Sequence, residues 1–286
     1  MKNVLYLIQA ISIYFFFFVC KIIGYKNSSN LGAFLGKKIG PFFRSKKILQ
    51  SNLKKAFSNI SEKEINKISK DMWENYGRIL AEYVFIKKFR NSELKDFITI
   101  DGEEIFLKIK EENNPVIFIS GHFNNFELLA MMIERYGIDL AAIYRPLNNH
   151  FLNNTMVNLR KKYICKKQIP KGISGVKDMA YQFKNGTSLA LMIDQRVSQG
   201  ARTNFFSYPA HTTTLPAQFI KKYNCKVVPV YIERSKKFYF NLKVDQPIKF
   251  NENDSIEKIT LSLNNWLEKK ITQNPTQWIW SHNRWK

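Results

Sequence analysis

The chain has 286 residues, of which 45% are hydrophobic, and its 45 Lys and Arg against 23 Asp and Glu give a net charge of +22. This length allows one large domain with a core, or at most two, and the hydrophobic content excludes an intrinsically disordered chain. The charge indicates an anionic partner: nucleic acid, an acidic membrane surface or a phosphorylated substrate. The sequence has no zinc-finger spacing, RRM signature or basic zipper, so we expect no nucleic-acid partner.

An apolar stretch lies at the start of the chain, where "VLYLIQAISIYFFFFVC" fills residues 4–20 between Lys2 and Lys21. Its length is at the short end of what spans a bilayer, and no small-residue cleavage site follows, as a signal peptide requires. One interpretation is a buried core helix. We favour a retained membrane anchor over residues 1–24, spanning the bilayer or lying in its interface, and a single domain over 25–286. The lysines that follow the stretch predict that this domain is cytoplasmic.

Regular secondary structure is predicted from Ser61 onward. "SEKE" is a capping box, and apolar residues at helical spacing predict a mostly helical segment over 62–88. Continuous apolar runs then alternate with amphipathic segments, which predicts an α/β fold with a mostly parallel central sheet flanked by helices. The predicted strands are 97–100, 116–120, 140–144, 188–193, 226–232 and 238–244, and the predicted helices are 125–136, 150–164, 175–184, 216–223 and 254–270.

The segment "GHFNNFE", residues 121–127, places a histidine and a glutamate at the end of a predicted strand. In one continuous helix the two side chains would lie about 140° apart and could not cooperate. If His122 lies in the turn and the helix begins near Asn124, Glu127 falls in the first helical turn and can fold back towards His122. The carboxyl end of a strand is where α/β sheets place their sites. The alternative is a capping box, because Asn124 and Glu127 have that spacing.

The cysteines and histidines show neither a disulfide framework nor a metal-binding pattern. The three cysteines are widely separated, which indicates a reducing compartment. We expect each of them to be a small buried side chain rather than a nucleophile. The histidines are scattered and no HExxH motif occurs, so we expect no metal and do not favour a metal hydrolase. These residues are Cys20, Cys165 and Cys225, and His122, His150, His211 and His282.

The final segment, "QWIWSHNRWK", predicts a strand at the edge of the core. Trp278, Trp280 and His282 alternate along it, so they would share one face of such a strand. We therefore expect a structural role for His282.

Six blocks, in order, resemble the bacterial lipid A biosynthesis acyltransferases, which belong to the glycerolipid acyltransferases with a His-x4-Asp/Glu motif. The blocks are "NLKKAF", "GHFNNFE", "IYRPLNNHFLN", "LMIDQR", "FFSYPAHTTT" and "QWIWSHNRWK". The resemblance covers nearly the whole chain, including the apolar start. Two departures are Phe126, where the family usually has Trp, and the ending "HNRWK", where the family tends to have an extra Arg and a Phe.

This resemblance implies a membrane-bound enzyme with a glycerolipid-acyltransferase-like fold. It would move a fatty acyl chain from acyl carrier protein to a hydroxyl of a lipid A precursor of the Kdo-lipid IVA type. The enzyme would act as a monomer at the cytoplasmic face of a bacterial inner membrane, without any cofactor other than the acyl donor. Two alternatives remain open: acylation of a lysophospholipid, aminolipid or glycolipid, and a non-enzymatic basic protein that binds membranes.

Four catalytic residues follow from the resemblance and from general acid–base chemistry. His122 would be the base that takes the proton of the substrate hydroxyl, and Glu127 would fix its tautomer and stabilise the imidazolium. Arg160 would hold a phosphate or the oxyanion, unless it is a solvated helix cation. Asp194, at another strand end, would align a basic partner, unless it only forms a turn.

Three further residues are predicted to bind substrate. Arg145 ends a strand in "YRP", where a guanidinium can clamp a phosphate. Asn125 and Gln195 lie beside the candidate catalytic residues in "GHFNNFE" and "LMIDQR".

Overall fold

The structure is a computed structural model that describes residues 2–286. Its strands are β1 Ile98–Asp101, β2 Ile117–Ser120, β3 Leu140–Tyr144, β4 Lys167–Pro170, β5 Ser188–Met192, β6 Ala201–Phe205, β7 Tyr208–Thr212, β8 Val227–Lys236 and β9 Tyr239–Val244. Its α-helices are α1 Lys2–Ile23, α2 Tyr25–Ile39, α3 Lys46–Ala56, α4 Glu62–Glu82, α5 Ile86–Arg90, α6 Glu103–Glu112, α7 Glu127–Arg135, α8 His150–Tyr163, α9 Ile173–Lys184, α10 Leu215–Tyr223 and α11 Ile256–Gln273.

Seven strands form the central sheet, in the order β1-β9-β8-β2-β5-β3-β4. From β8 through β2, β5 and β3 to β4, every adjacent pair of strands is parallel, while β9 runs antiparallel to β8 and parallel to β1. The mostly parallel α/β fold predicted from the sequence is therefore confirmed. The remaining strands, β6 and β7, form a separate antiparallel hairpin.

Both faces of the sheet are covered, as a parallel sheet requires. Successive residues of a strand point to opposite faces, so Phe118 of β2 packs in one buried cluster and its neighbours Ile117 and Ile119 in the other. The helix α7 contributes Leu128 to the first cluster, and α11 contributes Leu263 to the second. The apolar run at 116–120 is buried on both sides for this reason.

The helices α2 and α4 approach each other closely at three glycines. A Cβ placed on Gly77 would lie 1.9 Å from the carbonyl oxygen of Gly32 and 2.8 Å from the Cα of Gly36. Only residues without a side chain allow two backbones to come this near. The contact holds α2 against α4, and α4 reaches the functional site through Tyr76.

Several segments differ from the elements expected. The helices α2, α3 and α6, the strand β4 and the hairpin β6–β7 were not predicted, and residues 278–286 form turns after a 3-10 turn at Pro275–Gln277 rather than an edge strand. The predicted strand is wrong because the backbone N–H groups of Trp280, His282 and Arg284 donate to carbonyls only two or three positions earlier, as in turns. Trp278 and Trp280 are both fully buried, and their rings meet edge to face at 4.8 Å.

The first helix, α1, has the extent expected of the predicted anchor. Among the described residues, it is the one helix that is long and apolar enough to cross a membrane. Ala10 and Cys20 are nevertheless buried against the rest of the chain. The division into an anchor over 1–24 and one domain over 25–286 stays a prediction.

Candidate active site

The carboxyl edge of the parallel strands carries the charged residues singled out in the sequence. His122 follows β2 and Asp194 follows β5, and these two strands are neighbours with Ser120 beside Met192. Arg145 comes directly after β3, the next strand across the sheet. Because parallel strands end on the same side, residues far apart in the chain meet at this edge.

His122 and Asp194 form the central contact of the site. The ring Nδ1 of His122 lies 2.8 Å from Asp194 Oδ1, and the backbone N–H of His122 donates to Asp194 Oδ2 at 2.9 Å. The indole Nε1–H of Trp278 also donates to Oδ2, at 2.9 Å. Asp194 is fully buried, whereas 24% of the His122 side chain is exposed. No described residue hydrogen-bonds to Nε2 of His122, so this nitrogen has no partner within the described part of the chain.

His122 and Asp194 each favour the charged form of the other. Burial by itself would raise the pKa of Asp194, but the charge of His122 and hydrogen bonds from His122 and Trp278 lower it to about 2. Burial by itself would lower the pKa of His122, but the charge and hydrogen bond of Asp194 outweigh burial and raise it above its usual value. Asp194 is thus an ion at neutral pH and holds the imidazole in one orientation.

Glu127 does not hold the ring of His122, so the predicted contact between them is wrong. Its Oε1 accepts hydrogen bonds from both Nε and Nη2 of Arg160, with Nε at 2.9 Å. Only 8% of the Glu127 side chain and 14% of the Arg160 side chain are exposed. Arg160 is therefore no solvated helix cation, and Asp194 is no mere turn former.

The turn before α7 explains this arrangement. The helix begins at Glu127 rather than near Asn124, whose φ of 43° is left-handed. The side chain of Asn124 does not cap the helix, because its Oδ1 accepts the backbone N–H of Asn125 at 2.9 Å. Its Nδ2 donates to Gln277 Oε1 at 2.7 Å. Its backbone N–H also donates to the carbonyl of Gln277, at 3.1 Å. The capping-box interpretation is therefore wrong, and Glu127 is directed at Arg160.

Asn125 is buried and belongs to a polar network behind the site. Its Nδ2 donates to Glu82 Oε2 at 3.2 Å, and Arg234 donates to both oxygens of Glu82 at 2.7 and 2.9 Å. The hydroxyl of Ser29 in α2 donates to the same carboxylate, at 2.7 Å. The amide of Asn125 thus connects the turn to α2, α4 and β8, and its role in binding substrate stays a prediction.

An open cavity of about 820 Å³ lies beside Arg196 and His282, and neither His122 nor Asp194 lines it. It is lined by cations from five separate segments, and none of the described residues that line it is acidic. They are Arg44, Arg145, Lys171, Arg196 and Lys286. The half-buried Gln195 lies between Asp194 and Arg196, so the chain leads directly from the pair to the cavity.

His282 forms part of the cavity wall and plays a structural part there. Its Nε2 accepts the backbone N–H of Arg196 at 3.0 Å. Burial lowers the pKa of His282 to about 4, so the ring is neutral at physiological pH and can accept this hydrogen bond.

A sequence profile of the family described as bacterial lipid A biosynthesis acyltransferase matches residues 2–286. The chain belongs to this family. It is accordingly an O-acyltransferase that acts on lipid A, and the edge with His122 and Asp194 is its candidate active centre.

Individual relatives of this lipid A acyltransferase are distant. The lipid A biosynthesis acyltransferase of Haemophilus influenzae is 24% identical over 246 residues, which cover 84% of this chain and 76% of that protein. The lipid A biosynthesis palmitoleoyltransferase of Escherichia coli is 22% identical over 262 residues, 88% of this chain and 84% of that protein. A solved structure, the 1-acyl-sn-glycerophosphate acyltransferase PlsC from Thermotoga maritima, aligns with 96% of this chain and 99% of that one. Its identity is 12% and its TM-score 0.41, which support no conclusion about function.

Several residues of this acyltransferase site had no recognisable signal in the sequence. Glu82, Arg234 and Gln277 fix the turn before α7, but they lie in different elements and share no motif. The predicted capping box at Ser61 and Glu64 is confirmed by its hydrogen bonds, because all of its members are local.

The sequence predicts that the protein binds no metal ion. Within residues 2–286 no group of three or more His, Cys, Asp or Glu is close enough to hold a metal ion. Independence of metals and cofactors stays a prediction for this acyltransferase.

Proposed function

We propose that this enzyme transfers a fatty acyl chain from acyl carrier protein to a hydroxyl of a lipid A precursor of the Kdo-lipid IVA type. The observation that carries the proposal is the pair His122–Asp194, in which Nδ1 is held by a buried carboxylate while Nε2 has no hydrogen-bond partner among the described residues and the side chain stays partly exposed. A base with one nitrogen fixed and the other free is suited to take a proton from a hydroxyl group.

The reaction would be a direct displacement. Nε2 of His122 takes the proton as the acceptor oxygen attacks the thioester carbonyl, and a tetrahedral oxyanion forms. Asp194 stabilises the imidazolium, which is the part that a carboxylate plays in a Ser–His–Asp triad. Collapse of the oxyanion releases the thiolate of the carrier, which receives the proton from His122. No serine nucleophile is needed, because the attacking hydroxyl belongs to the substrate.

Arg160 would stabilise the oxyanion. Glu127 engages Nε and Nη2 of Arg160, and the phenol of Tyr83 lies beside the same guanidinium. A guanidinium held in place by a carboxylate needs no reorganisation when charge develops on the carbonyl oxygen. Glu127 would thus act through Arg160 rather than through His122.

The cationic cavity would hold phosphate groups of the acceptor. Arg145 and Arg196 offer planar guanidinium donors that suit phosphate, and Lys171 adds a point charge at the end of β4. Gln195 lies where it can bind the same substrate. The excess of positive charge also suits an acidic carrier protein and an anionic membrane.

Bilayer attachment at the cytoplasmic face of the inner membrane completes the proposal. The apolar side chains of α1 that remain exposed support it, together with the cations at both of its ends, Lys2 and Lys21. A monomer suffices for this activity, because the described site is formed within one chain.

The test is transfer of a labelled acyl group from acyl carrier protein by the purified enzyme, followed by thin-layer separation of the products. The acceptors are Kdo-lipid IVA, lipid IVA, a lysophospholipid, an aminolipid and a glycolipid. We expect Kdo-lipid IVA to be acylated, with no product from His122→Ala and normal product from the control His211→Ala. Preference for another acceptor would replace the proposed substrate, and transfer that survives His122→Ala would refute the proposed base.

A further inference from the structure

Two apolar faces run along α1. One face is shielded by the rest of the chain, at positions three or four residues apart: Tyr6, Ala10, Ile13, Phe17 and Cys20. The opposite face is equally apolar and is exposed to between 54% and 69%, at Leu5, Ile8, Ile11, Phe15, Phe18 and Ile22. Both sets follow the helical repeat, so they lie on opposite sides of the helix. Only the first face has a partner within the chain.

Polar contacts attach α1 to α8 at the border of the shielded face. The hydroxyl of Tyr14 donates to the carbonyl of Phe151 at 2.9 Å and lies 2.7 Å from the hydroxyl of Thr155. Asn149, at the start of α8, donates to the carbonyl of Tyr6 at 2.8 Å. These contacts fix α1 side by side with α8.

The helix α8 cannot enter the hydrocarbon part of a bilayer. Its exposed side carries Asn154, Asn158, Lys161 and Lys162, and amide or ammonium groups are very unfavourable there. Arg160 of the same helix is also tied to Glu127 at the edge of the sheet. The helix therefore stays with the polar part of the molecule.

A crossing α1 would conflict with this attachment. The helix has 22 residues, a length of about 33 Å at 1.5 Å per residue. The hydrocarbon core is about 30 Å thick. If α1 spanned it, Tyr14 would lie near the middle of the bilayer and would bring α8 with it. Either the contacts of Tyr14 would break, or asparagines and lysines of α8 would be buried in lipid.

We infer that α1 lies in the interface of a single leaflet of an anionic bilayer, with its exposed face in the lipid and its shielded face on α8. The inference rests on the membrane attachment proposed above and fixes its geometry. The chemistry of the exposed face suits acyl chains, and Lys2 and Lys21 at its ends suit anionic headgroups. Since α8 also carries Arg160, the same contacts set the distance between the active centre and the membrane surface.

Labelling from the two sides of a membrane tests this geometry. The native cysteines are all buried, so a cysteine introduced at the surface would be the reactive one. Asn3→Cys, at the start of α1, and Ser58→Cys, in the turn after α3, both replace exposed residues. The full-length variants are treated with a membrane-impermeant maleimide in sealed right-side-out and inside-out vesicles of bacterial inner membrane. We expect both cysteines to react in the same vesicle orientation. Reaction in opposite orientations would show that α1 crosses the membrane and would overturn the inference.

Spin labels on the exposed face give a second measurement. Cysteine substitutions of Leu5, Ile11, Phe15 and Phe18 are labelled with a nitroxide in vesicles of phosphatidylethanolamine and phosphatidylglycerol. Accessibility to oxygen and to a nickel chelate reports the depth of each label. We expect four similar, shallow depths. A depth that increases towards the middle of the helix would overturn the inference, as would labels shielded from lipid by protein or by a second copy.

Neither measurement uses acyl transfer, so the two proposals fail separately. An inactive protein that gives one-sided labelling and shallow depths would refute the proposed reaction and leave the position of α1 intact. An active enzyme with a crossing α1 would do the opposite.

Discussion

At the scale of single residues, the pKa of His122 should set the pH range in which the proposed base can act. A general base must be unprotonated, and the carboxylate of Asp194 raises the pKa of His122 in spite of burial. The rate should therefore fall on the acid side at a pH above that expected for an ordinary histidine, whose pKa is about 6.5.

Removal of the carboxylate should move this acid limb. In Asp194→Asn the pKa of His122 should drop, because its largest favourable partner is gone, and the acid limb of kcat/KM should shift to lower pH. The maximum should also fall, by about 10²–10⁴-fold, because the imidazolium loses its counter-charge. Rates over pH 5 to 9 check both effects. An acid limb that does not move would show that another group sets it.

A second residue-scale prediction concerns the partner of Glu127. In double-mutant cycles on kcat/KM, Glu127→Gln and Arg160→Gln should couple by about 0.5–3 kcal/mol, because the two side chains form one unit. Glu127→Gln and Asp194→Asn should be closer to additive. Stronger coupling of Glu127 with His122→Gln than with Arg160→Gln would restore the contact that the sequence motif predicts.

The histidine was recognisable in the sequence, but its partner was not. His122 and Glu127 are five positions apart, which makes a local pair the natural hypothesis. Asp194 is 72 positions away from His122 and comes into contact only because β5 inserts next to β2 in the sheet. Trp278, 84 positions beyond Asp194, is still less accessible to reasoning from spacing.

At the scale of elements, the close approach of α2 and α4 leaves no room for a side chain at Gly77. Replacing Gly77 by Ala should destabilise the protein by about 1–3 kcal/mol, because the new Cβ would meet the backbone of Gly32. Helix propensity alone predicts the opposite sign, a gain of about 0.5–1 kcal/mol. Thermal or denaturant unfolding decides, with Asn66→Ala on the exposed side of α4 as the control. A stabilised Gly77→Ala protein would mean that the helices can separate without loss.

The elements predicted correctly are those with a long local pattern. The helix from Glu62 has apolar residues at helical spacing and the strand β2 is a continuous apolar run, and both elements are confirmed. The hairpin β6–β7 escaped notice because its turn residues, Phe206 and Ser207, both have positive φ, at 50° and 62°. Turns with positive φ usually contain Asn or Gly, which makes them recognisable in the sequence, and this turn contains neither. The tertiary contact of Trp285 with the carbonyl of Phe205 helps to hold the hairpin instead.

At the scale of the whole molecule, the exposed face of α1 should control partition between membrane and solution. Ile8→Ser, Ile11→Ser, Phe15→Ser and Phe18→Ser together should move most of the protein from the sedimented membranes to the supernatant, because the buried apolar area is lost. Deletion of residues 1–24 should do the same and should also lower the melting temperature, since α8 loses its contacts with Tyr14. Sedimentation equal to that of the unaltered protein would refute membrane attachment through α1.

Dependence on metal ions is a property of the whole enzyme. Activity should persist after prolonged treatment with a strong chelator and dialysis, because the proposed chemistry uses only His122, Asp194 and Arg160. The assay compares treated enzyme with enzyme kept in buffer, each with and without added zinc or magnesium. Loss of activity that zinc alone restores would contradict a mechanism based on these side chains.

The segment 274–286 has a consequence for how the enzyme comes into being. Trp278 supports Asp194, Gln277 holds Asn124, and Asn52 donates to the carbonyls of Trp280 and His282, 228 and 230 positions along the chain. Contacts of such long range form late in folding. During translation α1 leaves the ribosome before the sheet does, and the residues that support the proposed catalytic carboxylate leave it after the sheet. Nascent chains should therefore reach the membrane before they can catalyse, and a chain released before Gln277 should be inactive.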